Sequence, residues 1–244
     1  MPGPLAEPAS YSAGRPVPSM RHRTFGEGPP LAFLMGWGNR LDGENEQWFV
    51  DRLVDAGFAV QTFELPTDVA DFHAEYVVPV RDALGDPVAV VGHSTGGLVA
   101  AHLRVDAPRV YLSPWWGIFG EKLRHLQRAI VPRLPTRRRI VPVAIDSDRE
   151  EVGELLTDEA WRRTPKWVSP AFVRAILRGQ DTLPPARENA VVFCSLRDTV
   201  VSLKAIGERF PPERIRLYDG GHELYSSTGR ERHARRVVAA LPDP

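Results

Sequence analysis

Apolar residues in this chain gather in short runs, separated by longer stretches where they recur at helical spacing. Leu31–Met35 is an unbroken apolar run that stops at Gly36. Phe58–Phe63, Val88–Val91, Arg109–Leu112, Ala190–Cys194 and Ile215–Tyr218 are further strand candidates. Short apolar runs with little alternation predict strands covered on both faces. Between them, Glu44–Ala56 spaces Trp48, Leu53 and Val54 as a helix would, and Gly57 follows as a stop signal. Asp68–Leu84 sets Val69, Phe72, Tyr76, Val77, Val80 and Leu84 on one helical face; Pro79 inside it predicts a kink or a split. Thr95–Val105 and the amphipathic Arg230–Leu241 complete the helices.

Strands alternating with helices predict an α/β fold: a mostly parallel, doubly wound sheet. Right-handed crossovers then bring the C-terminal ends of the strands to one edge, where ligands bind in such folds. Two segments depart from the rhythm. Residues 1–23 are rich in Pro, Ala, Ser and Gly without apolar periodicity, and read as a flexible N-terminal tail. Residues 114–187 lack a clear buried strand but hold four of the six Trp (Trp115, Trp116, Trp161 and Trp167). Too short for a stable separate core, they read as a helical cap inserted over the sheet edge. Residues 24–113 and 188–244 are left as the core.

Composition narrows the function without naming it. Among 244 residues, 31 basic and 31 acidic side chains give a formal net charge of zero, so no global field recruits nucleic acid or an anionic membrane. Cys194 is the lone cysteine, which excludes an internal disulfide and a Cys-based zinc cluster. With no apolar leader at the N-terminus and no apolar stretch of membrane-spanning length, a cytoplasmic location without stable membrane insertion is expected.

The chemistry concentrates at Gly92-His93-Ser94-Thr95-Gly96. This G-x-S-x-G pattern, between a strand candidate and a helix candidate, has the context of a nucleophile elbow. A sharp strand-to-helix turn projects the serine hydroxyl, and the flanking glycines avoid collisions that a Cβ would cause. A serine needs a base, and the base needs an orienting carboxylate. Of the other histidines, His222 alone sits on a loop just past a strand candidate, after Gly220-Gly221. Asp198 lies just past Ala190–Cys194 and between the other two in chain order, whereas Asp181 and Glu188 precede that strand. Ser94, Asp198 and His222 are therefore the expected catalytic triad. The oxyanion hole is expected from the backbone N–H groups of Thr95 and of Trp37, in the turn Met35-Gly36-Trp37-Gly38. Trp115 and Trp116, directly after a strand end, are placed to line an acyl pocket.

The stretches LAFLMGWGNR, FAVQTFELP, VAVVGHSTGG, VVFCSLRDTVVS and LYDGGHE resemble the α/β-hydrolase superfamily in its esterase, lipase and peptidase branch. The resemblance covers roughly residues 30–113 and 188–241. It implies the α/β-hydrolase fold and a serine hydrolase acting on a small-molecule acyl substrate, with no metal and no organic cofactor. One departure stands out: the family often carries His-Gly in the oxyanion loop, where the histidine supports the loop, and this chain has Met35-Gly36. The family's early antiparallel strands are reduced to Arg23–Phe25. A carboxylic ester is the expected substrate. A thioesterase, peptidase or acyltransferase would use the same triad, a ligand-binding protein could use the same fold without catalysis, and a Trp-rich interaction module would expose a large apolar patch. The basic residues Lys122, Arg124, Arg128, Arg133 and Arg137–Arg139 read as a solvated face.

Overall fold

The computed structural model describes residues 20–117, 130–143 and 148–244. Among them the apolar runs pair into one sheet: β1 (Arg21–Phe25), β2 (Pro30–Leu34), β3 (Ala59–Glu64), β4 (Ala89–His93), β5 (Arg109–Leu112), β8 (Ala190–Cys194) and β9 (Ile215–Leu217). The spatial order is β1-β3-β2-β4-β5-β8-β9. Every pairing is parallel except β1 with β3. This is the doubly wound α/β architecture expected from the alternation of strands and helices.

Side chains alternate across the sheet and both faces are buried, which explains the unbroken apolar runs. Ala32, Leu34, Val90, Val192 and Cys194 point to one side, where they meet Phe72, Tyr76, Leu98, Phe172 and Ile176. Leu31, Phe33, Met35, Val91 and Phe193 point to the other, against Phe49, Leu53, Tyr225 and Val237.

The helices differ from expectation in instructive details. Helix α1 (Glu44–Asp55) forms where predicted, but it buries Asn45, Glu46, Phe49, Val50 and Leu53. Trp48 and Val54 are only half-buried, and the Trp48 ring carries the Arg52 and Arg230 guanidinium groups on its faces. The stretch around Pro79 is irregular rather than broken: a π-helical turn at His73–Val77 runs straight into α2 (Val78–Ala83), and this wider turn lies directly ahead of Pro79, where its ring and missing N–H disturb the regular helical ladder. Helix α3 (Thr95–His102) is shorter than predicted because the chain becomes extended at Leu103. Helix α8 (Arg230–Val238) closes the fold.

Two boundaries are corrected. Strand β1 starts at Arg21, so residues 21–23 belong to the sheet rather than to the tail. Its RHRTF sequence gave no apolar signal because this edge strand is held by hydrogen bonds to β3 while its side chains stay largely exposed. The rest of the expected tail, residues 1–19, lies outside the described residues. In the segment 114–187, described elements are β6 (Val141–Pro142) paired with β7 (Trp167–Val168), and helices α4 (Arg149–Val152), α5 (Asp158–Arg163) and α6 (Pro170–Asp181). Helix α6, capped by Ser169 Oγ, sinks Phe172, Ala175 and Ile176 into the main core. It covers the sheet on the path from β5 to its parallel neighbour β8, so the core resumes before residue 188. Helix α7 (Leu203–Gly207) follows β8. Among the described residues no helix is long and apolar enough to cross a membrane.

Candidate active site

Ser94 occupies the turn between β4 and α3 with φ 50° and ψ −115°, a left-handed backbone that L-residues seldom adopt. The glycines make this turn possible. A Cβ on Gly96 would stand 2.1 Å from the Leu34 carbonyl oxygen on neighbouring β2; one on Gly92 would stand 2.9 Å from the Gly96 carbonyl oxygen and the Gly97 Cα. The turn is closed from outside by Ser94 N–H donating to Leu112 O (3.0 Å) and Trp115 N–H donating to Ser94 O (2.9 Å).

His222 sits beyond the end of β9, and Asp198 beyond the end of β8. Their side chains meet: His222 Nδ1 donates to Asp198 Oδ2 at 2.8 Å, and both residues are buried. Asp198 Oδ1 meanwhile accepts the N–H groups of Val200 (2.9 Å) and Val201 (3.1 Å). One carboxylate thus shapes its own loop with one oxygen and orients the imidazole with the other. It does not cap a helix, since α7 starts later and uses Ser202. Burial pushes the Asp198 carboxyl up, but the His222 charge and these hydrogen bonds outweigh it and hold it below the usual carboxylate range. Burial likewise pushes His222 down; the Asp198 charge and hydrogen bond, helped by the Glu223 charge, outweigh it and leave its pKa raised. With Nδ1 committed to Asp198, Nε2 is the basic nitrogen of that ring.

The histidine loop is clamped by the segment over the sheet edge. His222 N–H donates to Glu151 O (3.1 Å) and Glu223 N–H to Val152 O (2.7 Å), around the end of α4. From below, the Tyr218 hydroxyl, also in contact with Ser113 Oγ, reaches Gly221 O (2.7 Å) and His222 O (3.0 Å).

Ser94, Thr95, Trp37 and His222 border one cavity of about 250 Å³. Its far wall is apolar and comes largely from the segment 114–187: Trp115, Val141, Val152, Val168, Phe172 and Ile176 all contribute. The two-stranded ladder β6–β7 points Val141 and Val168 inward. The Trp37 side chain is held by Nε1–H donating to Thr67 O (3.0 Å) and by its contact with Phe172. Trp115 is on the cavity wall, but Trp116 is not, contrary to expectation. It stacks on Phe210, meets Tyr111 edge-on and is 6% exposed, because the chain after β5 turns alternate side chains toward cavity and core.

Sequence reasoning missed a second group of polar residues at this cavity: Asn39, Glu46, His93 and Glu223, with Tyr225 behind them. A signal existed. Glu46 heads the buried stripe Phe49, Val50 and Leu53 of α1, and an acid on an apolar stripe needs a partner. Of the basic residues read as a solvated face, Arg137 pairs with Glu75 and Arg139 donates to Thr67 Oγ1; Lys122, Arg124 and Arg128 lie outside the described residues. Among the described residues no cluster of three or more His, Cys, Asp or Glu side chains is placed to hold a metal ion.

Comparison with known proteins adds context to this geometry. Residues 12–240 match the Alpha/beta hydrolase family. The chain is 33% identical over 97 residues to a pimeloyl-[acyl-carrier protein] methyl ester esterase of Vibrio campbellii, and 34% identical over 98 residues to the enzyme of the same name from Vibrio parahaemolyticus. In both cases the match spans 37% of this chain and 37% of the relative. The fold is similar to that of a Paleococcus ferrophilus monoacylglycerol lipase (TM-score 0.71, 16% identity, 91% of this chain and 97% of the other). It is also similar to a Saccharomyces cerevisiae monoglyceride lipase (TM-score 0.66, 14% identity, 92% of each chain).

Proposed function

The chain belongs to the alpha/beta hydrolase family, and from that premise we propose that it is a serine hydrolase cleaving a carboxylic ester, with Ser94, His222 and Asp198 as its triad. The observation that carries this reading is the convergence of three loops. A serine on a strained turn and a histidine held by a buried carboxylate border the same small cavity, although they lie far apart in sequence. Ester hydrolysis, rather than another acyl transfer, is supported by the names of the partial relatives, which are methyl ester esterases.

In this mechanism Ser94 Oγ attacks the acyl carbonyl as His222 Nε2 takes its proton. Asp198 keeps the imidazole in the Nδ1–H tautomer and stabilises its charged form. The N–H groups of Thr95 and Trp37 receive the developing oxyanion. His222 then protonates the departing alkoxide, and water, deprotonated by the same ring, releases the acid from Ser94. Trp115, Val141, Val152 and Val168, with Phe172 and Ile176 of α6, form an apolar wall that holds the hydrophobic part of the ester away from water.

A fluorophosphonate probe tests the reading: it should label Ser94 in the wild type, and absence of labelling there sinks it. Two further results are expected. A cavity of about 250 Å³ lies below the usual range for ligand sites, roughly 300–1,000 Å³. In a series of p-nitrophenyl esters, kcat/KM should therefore peak at short to medium acyl chains and fall for long ones; a monotonic rise to palmitate would contradict the size argument. The base must be neutral to accept a proton, and His222 has a raised pKa. Activity should thus climb with pH through a midpoint above the ordinary histidine value of 6.5 and then level off. A midpoint at or below that value would show that the Asp198 and Glu223 charges do not prevail over burial.

A further inference from the structure

Asn39 lies two residues beyond Trp37, in a turn closed by Asn39 N–H donating to Gly36 O (3.2 Å). Its side chain is buried and uses both ends. Nδ2 donates to Glu46 Oε1 (2.8 Å) on α1 and to Glu223 Oε1 (2.6 Å), the residue next to His222. Oδ1 accepts from the Tyr225 hydroxyl (3.1 Å) and from His93 Nδ1 (3.2 Å), the residue before Ser94. The Tyr225 hydroxyl also lies 3.0 Å from His93 Nδ1.

The proton count leaves little freedom. A carboxamide oxygen cannot donate, so with the His93 proton on Nδ1 that nitrogen donates to Asn39 Oδ1, and Tyr225 donates to Asn39 while accepting from His93; among the described residues His93 Nε2 then has no partner. A neutral His93 suits this, since burial and the neighbouring His222 push its pKa well below the ordinary value. On the other side two carboxylates share one amide group. Glu223 Oε2 is further held by Ser226 Oγ (2.6 Å). Burial and the facing Glu223 push the Glu46 carboxyl up to about 7, so this pair resists carrying two full charges near neutrality. Oδ1 of Asn39 and Nδ1 of His93 both press beneath Gly36: a Cβ there would stand 2.6 Å from each.

We propose that Asn39 is a positioning residue whose two-ended amide locks the loop bearing Trp37 to the loop bearing His222, through Glu223, and to the turn bearing Ser94, through His93. The inference rests on the serine-hydrolase reading, because it assigns Asn39 to holding the oxyanion donor and the base in mutual register.

Asn39→Asp removes the donor between Glu46 and Glu223 and adds a third acid. Glu223→Ala removes the grip on the histidine loop while leaving Asn39 in place. Glu223→Gln keeps an acceptor for the amide. Turnover should be measured on the high-pH plateau, so that altered His222 titration does not enter, and normalised to the folded fraction from circular dichroism. Asn39→Asp and Glu223→Ala should each lose about 100-fold in kcat with KM changed by less than about threefold, the cost of a misplaced reacting group. Glu223→Gln should stay within about threefold of the wild type. Undiminished kcat in Glu223→Ala, an equal loss in Glu223→Gln, or a loss that merely tracks the unfolded fraction overturns the clamp. The fluorophosphonate probe separates the two ideas. No labelling of the wild type overturns both, whereas labelled variants with full turnover overturn the clamp alone.

Discussion

Replacing Ser94 with alanine should lower kcat by roughly 10⁴–10⁶ and leave the fold intact. The expectation combines chemistry with a local structural argument. On the proposed mechanism the hydroxyl is the only group that forms a covalent bond to the acyl carbon, so nothing nearby replaces it. His222 and Asp198 could still polarise a water, and paired amide donors could still bind an oxyanion, which sets a floor above the uncatalysed rate. The backbone strain at φ 50° arises from the turn between β4 and α3 and is the same for serine and alanine. No hydrogen bond of the fold passes through Ser94 Oγ among those described, whereas its backbone N–H and C=O anchor Leu112, Leu98 and Trp115. The alanine variant should melt within about 1 kcal/mol of the wild type, and the fluorophosphonate probe should fail to label it. Ester turnover retained at wild-type level would remove Ser94 from the chemistry.

Arg109→Met should produce a large loss of stability. Arg109 is 1% exposed at the start of β5, and among the described residues its guanidinium pairs with carbonyls and with no carboxylate. Nε–H donates to Ala100 O (3.1 Å), Nη1 to Ala107 O (2.7 Å), and Nη2 to Leu103 O (2.8 Å) and Val105 O (3.2 Å). Ala100 O also accepts the Leu103 N–H (3.3 Å), whereas the Leu103, Val105 and Ala107 carbonyls lie past the last turn of α3 and take their hydrogen bonds from the guanidinium, near the negative end of the helix dipole. The cation satisfies them at once and stitches α3 to β5. Methionine fills much of the volume and donates nothing. Each carbonyl left buried and unpaired costs about 1–3 kcal/mol, so a loss of roughly 3–5 kcal/mol is expected after partial relaxation. In a chain of this length that should lower Tm by roughly 10 °C, as read by thermal circular dichroism. Because α3 also carries Ser94 at its N-terminal end, activity at low temperature should persist while its upper temperature limit drops. A Tm within about 2 °C of the wild type would mean that water replaces the guanidinium freely.

Much of the fold was legible because both faces of the sheet are buried. β2 and β8, and β4 and β5 apart from His93 and Arg109, had to be largely apolar, and an unbroken run such as Val88–Val91 is readable with no partner in view. Edge strand β1 was read only in part, as Arg23–Phe25 through the family resemblance, since its identity lies in its backbone pairing with β3 rather than in its side chains. The irregularity at Pro79 could be foreseen from covalent geometry alone. The buried face of α1 could not, because Trp48 and Phe49 are equally apolar, and only the packing of Tyr225 on Phe49 decides which of them turns inward.

The candidate site divides along the same line. The order Gly92-His93-Ser94-Thr95-Gly96, the glycines against β2 and the placement of Asp198 and His222 just beyond strands are local features, set by backbone sterics and strand direction, and the chain by itself determined them. Trp116 in the core beside Trp115 on the cavity, the amide of Asn39 between Glu46 and Glu223, and Arg109 among backbone carbonyls were decided only in three dimensions. A buried polar group is stable only where donors and acceptors balance, and here that balance joins residues as much as 186 positions apart.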